Sequence, residues 1–143
     1  MELQELYNRT VREHSIRPHN FLNLKKNPQA WEKQNPECGD TIRIFLQWNS
    51  QEELEIAFDM EGCAVSTASA SMMTDIVKGK KKQEVEKIYQ EVLDVMKGSK
   101  EANLLDTYGD LSVFKGILAY PVRLQCAIFP WKTLQDIIEK RYL

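Results

Sequence analysis

Thr41-Ile42-Arg43-Ile44-Phe45-Leu46-Gln47-Trp48 runs through the polar Asn49-Ser50-Gln51-Glu52 into Glu53-Leu54-Glu55-Ile56-Ala57-Phe58-Asp59-Met60. In the first half Ile42, Ile44, Leu46 and Trp48 alternate with Thr41, Arg43, Phe45 and Gln47. In the second half Leu54, Ile56, Phe58 and Met60 alternate with Glu53, Glu55, Ala57 and Asp59. A period of two puts one set of side chains on a buried face, so each half reads as a strand and the polar tetrapeptide as their turn. The pair predicts an antiparallel hairpin with one face open to water.

Upstream of the hairpin, Leu3, Leu6, Tyr7, Thr10 and Val11 recur at helical spacing and predict an amphipathic helix over residues 2 to about 14. Pro18 stops it, because the residue before a proline is pushed away from the α region, and Arg17-Pro18-His19-Asn20 reads as a turn. Residues 21–37 contain Pro28 and Pro36 and read as loop, with a short strand near Ala30 and Trp31.

Downstream, Glu61-Gly62 interrupts the strand pattern, and residues 63–77 are rich in Ala, Ser and Thr. Side chains that small let a helix approach its neighbours closely, and Gly79 is its expected C-cap. A further helix covers about 81–97 with Val85, Ile88, Tyr89, Val92 and Met96 on one stripe. Residues 100–119 are broken by Gly109 and Gly116 and read as one or two short helices. A last helix carries Trp131, Leu134, Ile137 and Ile138. A proline inside a helix costs ~3 kcal/mol, so Pro130 is expected in its first turn, with Cys126 at or just before the N-terminus. The fold class expected is α+β: a small antiparallel sheet of about three strands packed against several helices, in a single domain over residues 1–143.

The chain has 143 residues, 43% of them hydrophobic and 28% charged, with a net charge of -2. That balance gives no general attraction to nucleic acid or to anionic lipid. No apolar run nears the ~20 residues that span a bilayer, and the acidic start, Met1-Glu2-Leu3-Gln4-Glu5, does not read as a signal peptide. A cytoplasmic location is expected.

Three cysteines, Cys38, Cys63 and Cys126, come from three separate segments. The odd number and the absence of a C-x-x-C pair argue against a disulfide framework or a zinc ribbon. On counting alone, three buried small side chains is the simpler account. Asn35-Pro36-Glu37-Cys38-Gly39-Asp40, however, sets a thiol and a carboxylate two residues apart on one turn. Cys63, like Cys126, is expected near a helix N-terminus, where free amides favour an anion. Three thiolates and a carboxylate suit tetrahedral Zn²⁺, and the same thiolates suit an iron–sulfur cluster. Ligand type alone does not choose between them.

The local sequences resemble a known family. Asn35-Pro36-Glu37-Cys38-Gly39-Asp40 is joined by Glu61-Gly62-Cys63-Ala64-Val65-Ser66 running into Ala68-Ser69-Ala70-Ser71-Met72-Met73-Thr74-Asp75. Arg123-Leu124-Gln125-Cys126-Ala127 with Trp131, and Arg17-Pro18-His19-Asn20, complete the set. In this order they are similar to the IscU/SufU-type iron–sulfur assembly proteins, over nearly the whole chain. The SufU branch is the nearer. It lacks the IscU histidine before the last cysteine, here Gln125, and carries an insertion that corresponds to about residues 98–116.

The resemblance implies zinc held by Cys38, Asp40, Cys63 and Cys126. It also implies that Cys38 accepts persulfide sulfur from a pyridoxal-phosphate cysteine desulfurase and passes it toward downstream iron–sulfur assembly proteins, as a zinc-dependent sulfurtransferase. Two alternatives stand beside it: a scaffold that builds a cluster on the same three cysteines, and a structural zinc domain with a binding role. The chain departs from the SufU pattern at Gln125, where lysine is usual, and at Pro130, where a small residue is common. Arg123 is the candidate for partner contact. His14 and His19 are weighed as further metal ligands but expected to be solvated. Lys78, Lys80, Lys81 and Lys82 are expected to form a solvated helix start, with docking to an acidic desulfurase surface as the weaker reading.

Overall fold

The computed structural model describes residues 2–36 and 38–140. Helix α1 spans Leu3–Ile16, followed by strands β1 (Trp31–Gln34), β2 (Thr41–Trp48) and β3 (Leu54–Glu61). Helices α2 (Ala64–Val77) and α3 (Lys82–Met96), a 3-10 segment (Ala102–Ile117) and helix α4 (Pro121–Ile138) complete the chain. The sheet is an antiparallel meander in the order β1-β2-β3, so the α+β expectation holds. Trp48 pairs with Leu54 across the polar turn, and the register continues through Ile44 opposite Phe58 to Thr41 opposite Glu61. Trp31 begins the short edge strand, opposite Ile44.

The alternation read from the hairpin has its physical counterpart in burial. Ile42, Ile44, Leu54 and Phe58 are fully buried and join one core with Tyr89, Leu111, Phe114 and Trp131. At roughly 1.5–3 kcal/mol for each large apolar side chain removed from water, these positions hold sheet and helices together. After the Pro18 turn the chain runs along the free edge of β3. The Phe58 amide donates to the Asn20 carbonyl at 3.0 Å, and the Leu22 amide donates to the Phe58 carbonyl at 3.0 Å. That covers an edge which would otherwise present unpaired backbone.

Helix α2 is the centre of the packing and touches α1, α3, α4, β3 and the 3-10 segment. Its residues from Ser66 to Thr74 are all buried. The run of Ala, Ser and Thr thus serves close approach on several sides at once. The C-cap is Lys78, one residue before the expected Gly79, which follows it in the left-handed conformation at φ +79.

Three expectations need correction. The inward stripe of α1 is Tyr7, Thr10, Val11 and His14, while Leu3 and Leu6 are exposed. His14 is therefore buried rather than solvated. Second, α4 does not begin at Pro130. Pro121 occupies its first turn, where a missing N–H costs nothing, and Pro130 lies inside the helix. Third, Cys126 is consequently in the second turn of α4 and not at a helix N-terminus. The helix continues through Pro130 because Phe129, Pro130 and Trp131 are buried in the core, and Ser69 Oγ donates to the Ala127 carbonyl at 2.6 Å. The 3-10 segment is two pieces joined at a kink, with Tyr108 and Gly109 in non-helical backbone. That agrees with a pair of short helices broken at Gly109.

Candidate metal centre

Cys38 lies in the turn between β1 and β2. The turn is closed by the Asn35 amide donating to the Asp40 carbonyl at 2.7 Å and the Gly39 amide donating to the Asn35 carbonyl at 2.8 Å. Gly39 adopts φ +74, a left-handed conformation that residues with a Cβ rarely take. Glycine here lets Cys38 and Asp40 face one place. Cys38 is exposed, and Asp40 is buried at 4% exposure.

Cys63 is the N-cap of α2. Its sulfur accepts the Ser66 amide at 3.4 Å and lies 3.3 Å from Ser66 Oγ. Its own amide donates to Asp40 Oδ1 at 3.2 Å, and its sulfur is 3.8 Å from Asp40 Oδ2. Ser66 Oγ donates to Asp40 Oδ2 at 2.5 Å. Gly62 makes room for this carboxylate: a Cβ there would sit 2.7 Å from Asp40 Cγ and 2.8 Å from Oδ1.

Cys126 closes the constellation from α4. Ligating atoms of Cys38, Asp40 and Cys126 all lie within 4.8 Å of one another. The Cys126 thiol is pushed up to about 12 by burial first, and then by the neighbouring Cys63 and Cys38. Burial also raises Cys38, aided by the Asp40 carboxylate and opposed by the Asp40 amide. Burial thus holds Cys38 and Cys126 against ionising, and a cation among them reverses that preference.

The four residues singled out in the sequence thus meet at one point. Beside them, Asn35, Pro121, Val122 and Gln125 line a small open pocket with Cys38 and Cys126. Arg123 lies on the same end of α4, exposed, with its guanidinium 5.9 Å from the centre of the Tyr120 ring. The donor set fits a tetrahedral ion of borderline softness. Among the described residues, no lysine or arginine pairs with Asp40 to offset its burial. The Gly62 cradle and the Ser66 hydroxyl aim that carboxylate at the thiols.

Gly62 and Ser66 were not assigned roles from the sequence. Ser66 is three residues after the N-cap, the spacing at which a helix-start side chain faces back to the cap. Gly62 leaves no such trace, because its neighbour in space, Asp40, is distant in the chain. A second constellation also lay beyond the sequence: His14, His19 and Asp75 offer one ligating atom each within 4.8 Å of the others.

The family model of the NifU-like N terminal domain matches residues 6–127, and the chain belongs to this family of iron–sulfur cluster assembly proteins. It is 33% identical over 142 residues to the iron–sulfur cluster assembly scaffold protein IscU of Streptococcus pyogenes serotype M1, covering 97% of this chain and 86% of that one. It is 31% identical over 138 residues to the zinc-dependent sulfurtransferase SufU of Bacillus subtilis, covering 96% and 92%. A solved structure from Fervidobacterium islandicum AW-1, assigned to iron–sulfur cluster scaffolding for the SUF system, superposes with a TM-score of 0.73 at 26% identity. It covers 92% of this chain and 96% of that one. No helix among the described residues is long and apolar enough to cross a membrane.

Proposed function

We propose that this chain is a zinc-dependent sulfurtransferase of iron–sulfur cluster assembly, which takes persulfide sulfur from a cysteine desulfurase onto Cys38. Cys38, Asp40, Cys63 and Cys126 would hold the metal. The observation that carries the reading is the buried Asp40 carboxylate, fixed by Ser66 and the Cys63 amide and converging with three thiols that the sequence keeps far apart. The similarity to a relative named as a zinc-dependent sulfurtransferase supports it.

Zinc held by these four residues would keep the thiols as thiolates and tie their three segments together. Cys38 is the member suited to exchange sulfur. It sits on an exposed turn, whereas Cys126 is buried in a helix and Cys63 is engaged with Ser66. Its thiolate attacks the outer sulfur of the desulfurase persulfide, a new S–S bond forms, and the old one breaks. The desulfurase thiolate leaves with the bonding pair, so no external oxidant or reductant is needed. Downstream assembly proteins then receive the sulfur by the same exchange. Arg123 is proposed to contact the desulfurase, beside the exposed Tyr120 and Val122.

The second reading, a scaffold assembling a cluster on Cys38, Cys63 and Cys126, is favoured by the relative named IscU. Metal and sulfide analysis of protein purified without oxygen separates the two. Zinc at one per chain, with desulfurase stimulation by wild type but not by a folded Cys38→Ser variant, is the result expected. Labile iron and sulfide in place of zinc would support the scaffold. Zinc binding without any stimulation by wild type would leave only a structural zinc domain.

A further inference from the structure

Further along α2 from Cys63, side chains from α1, the turn after it, α2 and the 3-10 segment gather around Ser71. His14 comes from the last turn of α1, His19 from the turn after Pro18, Asp75 from α2 itself and Asp110 from the kink of the 3-10 segment. Ser71 Oγ accepts the His19 amide at 2.8 Å and lies 2.7 Å from His14 Nδ1. His14 Nε2 lies 2.9 Å from Asp110 Oδ2, and His19 Nδ1 is bonded to Asp75 Oδ2. The two imidazoles are 4.5 Å apart between ring centres.

We propose that His14, His19 and Asp75 form a second metal site, for a first-row divalent cation, with Asp110 as a further oxygen donor. Ligand bonds of about 2.0–2.2 Å put neighbouring donors on a shared ion about 2.8–3.6 Å apart, from octahedral to tetrahedral geometry. The three side chains already offer atoms within 4.8 Å, and His19 and Asp75 are exposed enough to close the remainder by side-chain rotation. Two imidazoles and a carboxylate, with no thiolate, select nitrogen- and oxygen-seeking ions such as Co²⁺, Ni²⁺, Fe²⁺ or Zn²⁺.

The outer hydrogen bonds of His14 suit this assignment. A ligating histidine needs its other ring nitrogen held by an acceptor. With Nε2 toward the metal, His14 Nδ1–H donates to Ser71 Oγ, which has a second lone pair for the His19 amide. Burial of His14 at 4% exposure fixes its ring before any ion arrives. Asn20 Nδ2 holds the other Asp75 oxygen at 3.0 Å. His14, Asp75 and Asp110 line one open pocket with Tyr108 and Gly109, which leaves positions for water on the ion. Lys80 also lines that pocket, so one positive charge accompanies the two carboxylates. Ser71 and Asp75 lie eight and twelve residues along α2 from Cys63, about 12 and 18 Å at 1.5 Å per residue. One ion cannot serve both places.

The test is Co²⁺ titration of the full, reduced chain without oxygen, followed by calorimetry and by absorption. Cobalt on thiolates gives sulfur-to-metal charge-transfer bands, and cobalt on imidazole and carboxylate does not. Two ions per chain are expected, one with these bands and one without. His19→Ala/Asp75→Asn, both at exposed positions, should weaken the band-free ion at least tenfold and leave the other unchanged. Should the thiol centre take no cobalt, a single band-free ion lost in the same variant still supports the proposal. Wild type that binds no band-free ion overturns it, as does a variant with native circular dichroism that binds that ion undiminished. Either result would leave the cluster as a set of hydrogen bonds tying α1 to α2.

Discussion

Ser66 Oγ donates to Asp40 Oδ2 at 2.5 Å, so the first turn of α2 sets the direction of a carboxylate on the β1–β2 turn. The bond joins the segment that carries Cys38 to the one that carries Cys63. Replacing Ser66 by alanine leaves a buried carboxylate short of a donor, at about 1–3 kcal/mol. Orienting partners of metal ligands commonly contribute 10–100-fold to metal affinity. Ser66→Ala is therefore expected to fold, with a modestly lower melting temperature, and to lose zinc at least tenfold more readily to a chelator. Retention equal to wild type would mean that Asp40 needs no orienting or is not a ligand.

Gly62 constrains the same carboxylate by leaving space. Its backbone is not in the left-handed region, so the effect of a substitution is steric alone. A methyl group at 2.7 Å from Asp40 Cγ pushes against the base of a buried side chain that has little room to yield. Gly62→Ala should cost about 1–3 kcal/mol through overpacking. It should also turn Asp40 away from the thiols. The expected signature is a zinc affinity close to that of Asp40→Ala, and the double variant Gly62→Ala/Asp40→Ala should bind zinc no more weakly than Asp40→Ala. An additive loss in the double variant would show that Gly62 acts elsewhere.

How legible these features were depended on their reach along the chain. The hairpin was readable because Ile42, Ile44, Leu54 and Phe58 alternate over a short stretch and bury one face. The four thiol and carboxylate positions were readable through motifs around each of them. The start of α4 was misread because local propensity treats Pro130 as a stop, whereas burial of Pro130 and Trp131 among α2 and α3 outweighs the lost hydrogen bond. His14 was misread for a related reason: its partners Ser71 and Asp110 are 57 and 96 residues away, and no local pattern announces them.

Cys126 gives the metal-free protein a distinctive alkaline behaviour. Its thiol ionises near 9.0 when unfolded, and burial beside Cys63 raises this to about 12 in the folded chain. Between those values the folded state holds more protons than the unfolded state, so stability falls as pH rises. The contribution is fully present below pH 9.0 and is lost as pH rises through about 12. Urea unfolding of reduced, metal-free protein should show a midpoint that declines above about pH 9, and Cys126→Ala should flatten part of that decline. Tyr7, Tyr108 and Cys38 are raised too and contribute with the same sign, so the difference between variant and wild type is the informative quantity. An identical pH profile in both would remove Cys126 as a source.

The surface beside the thiols carries the last expectation. Val122 is 79% exposed and Tyr120 57%, and Arg123 follows Val122 in the chain with its guanidinium 5.9 Å from the centre of the Tyr120 ring. Exposed apolar side chains around an arginine are the composition of an interface centre. The proposed docking of a desulfurase therefore separates from the chemistry of the cluster by mutation. Neither position is a proposed ligand, and Arg123→Ala and Val122→Ala, which add no charge to the pocket shared with Cys38 and Cys126, should keep full zinc content and native melting. Desulfurase stimulation should need at least tenfold more protein to reach half its maximum, consistent with the loss of one interface anchor at about 1–2 kcal/mol. The maximal rate at saturation should change little, because Cys38 and its neighbours are intact. A lower maximal rate with an unchanged half-saturation concentration would place Arg123 in the transfer step instead of in docking.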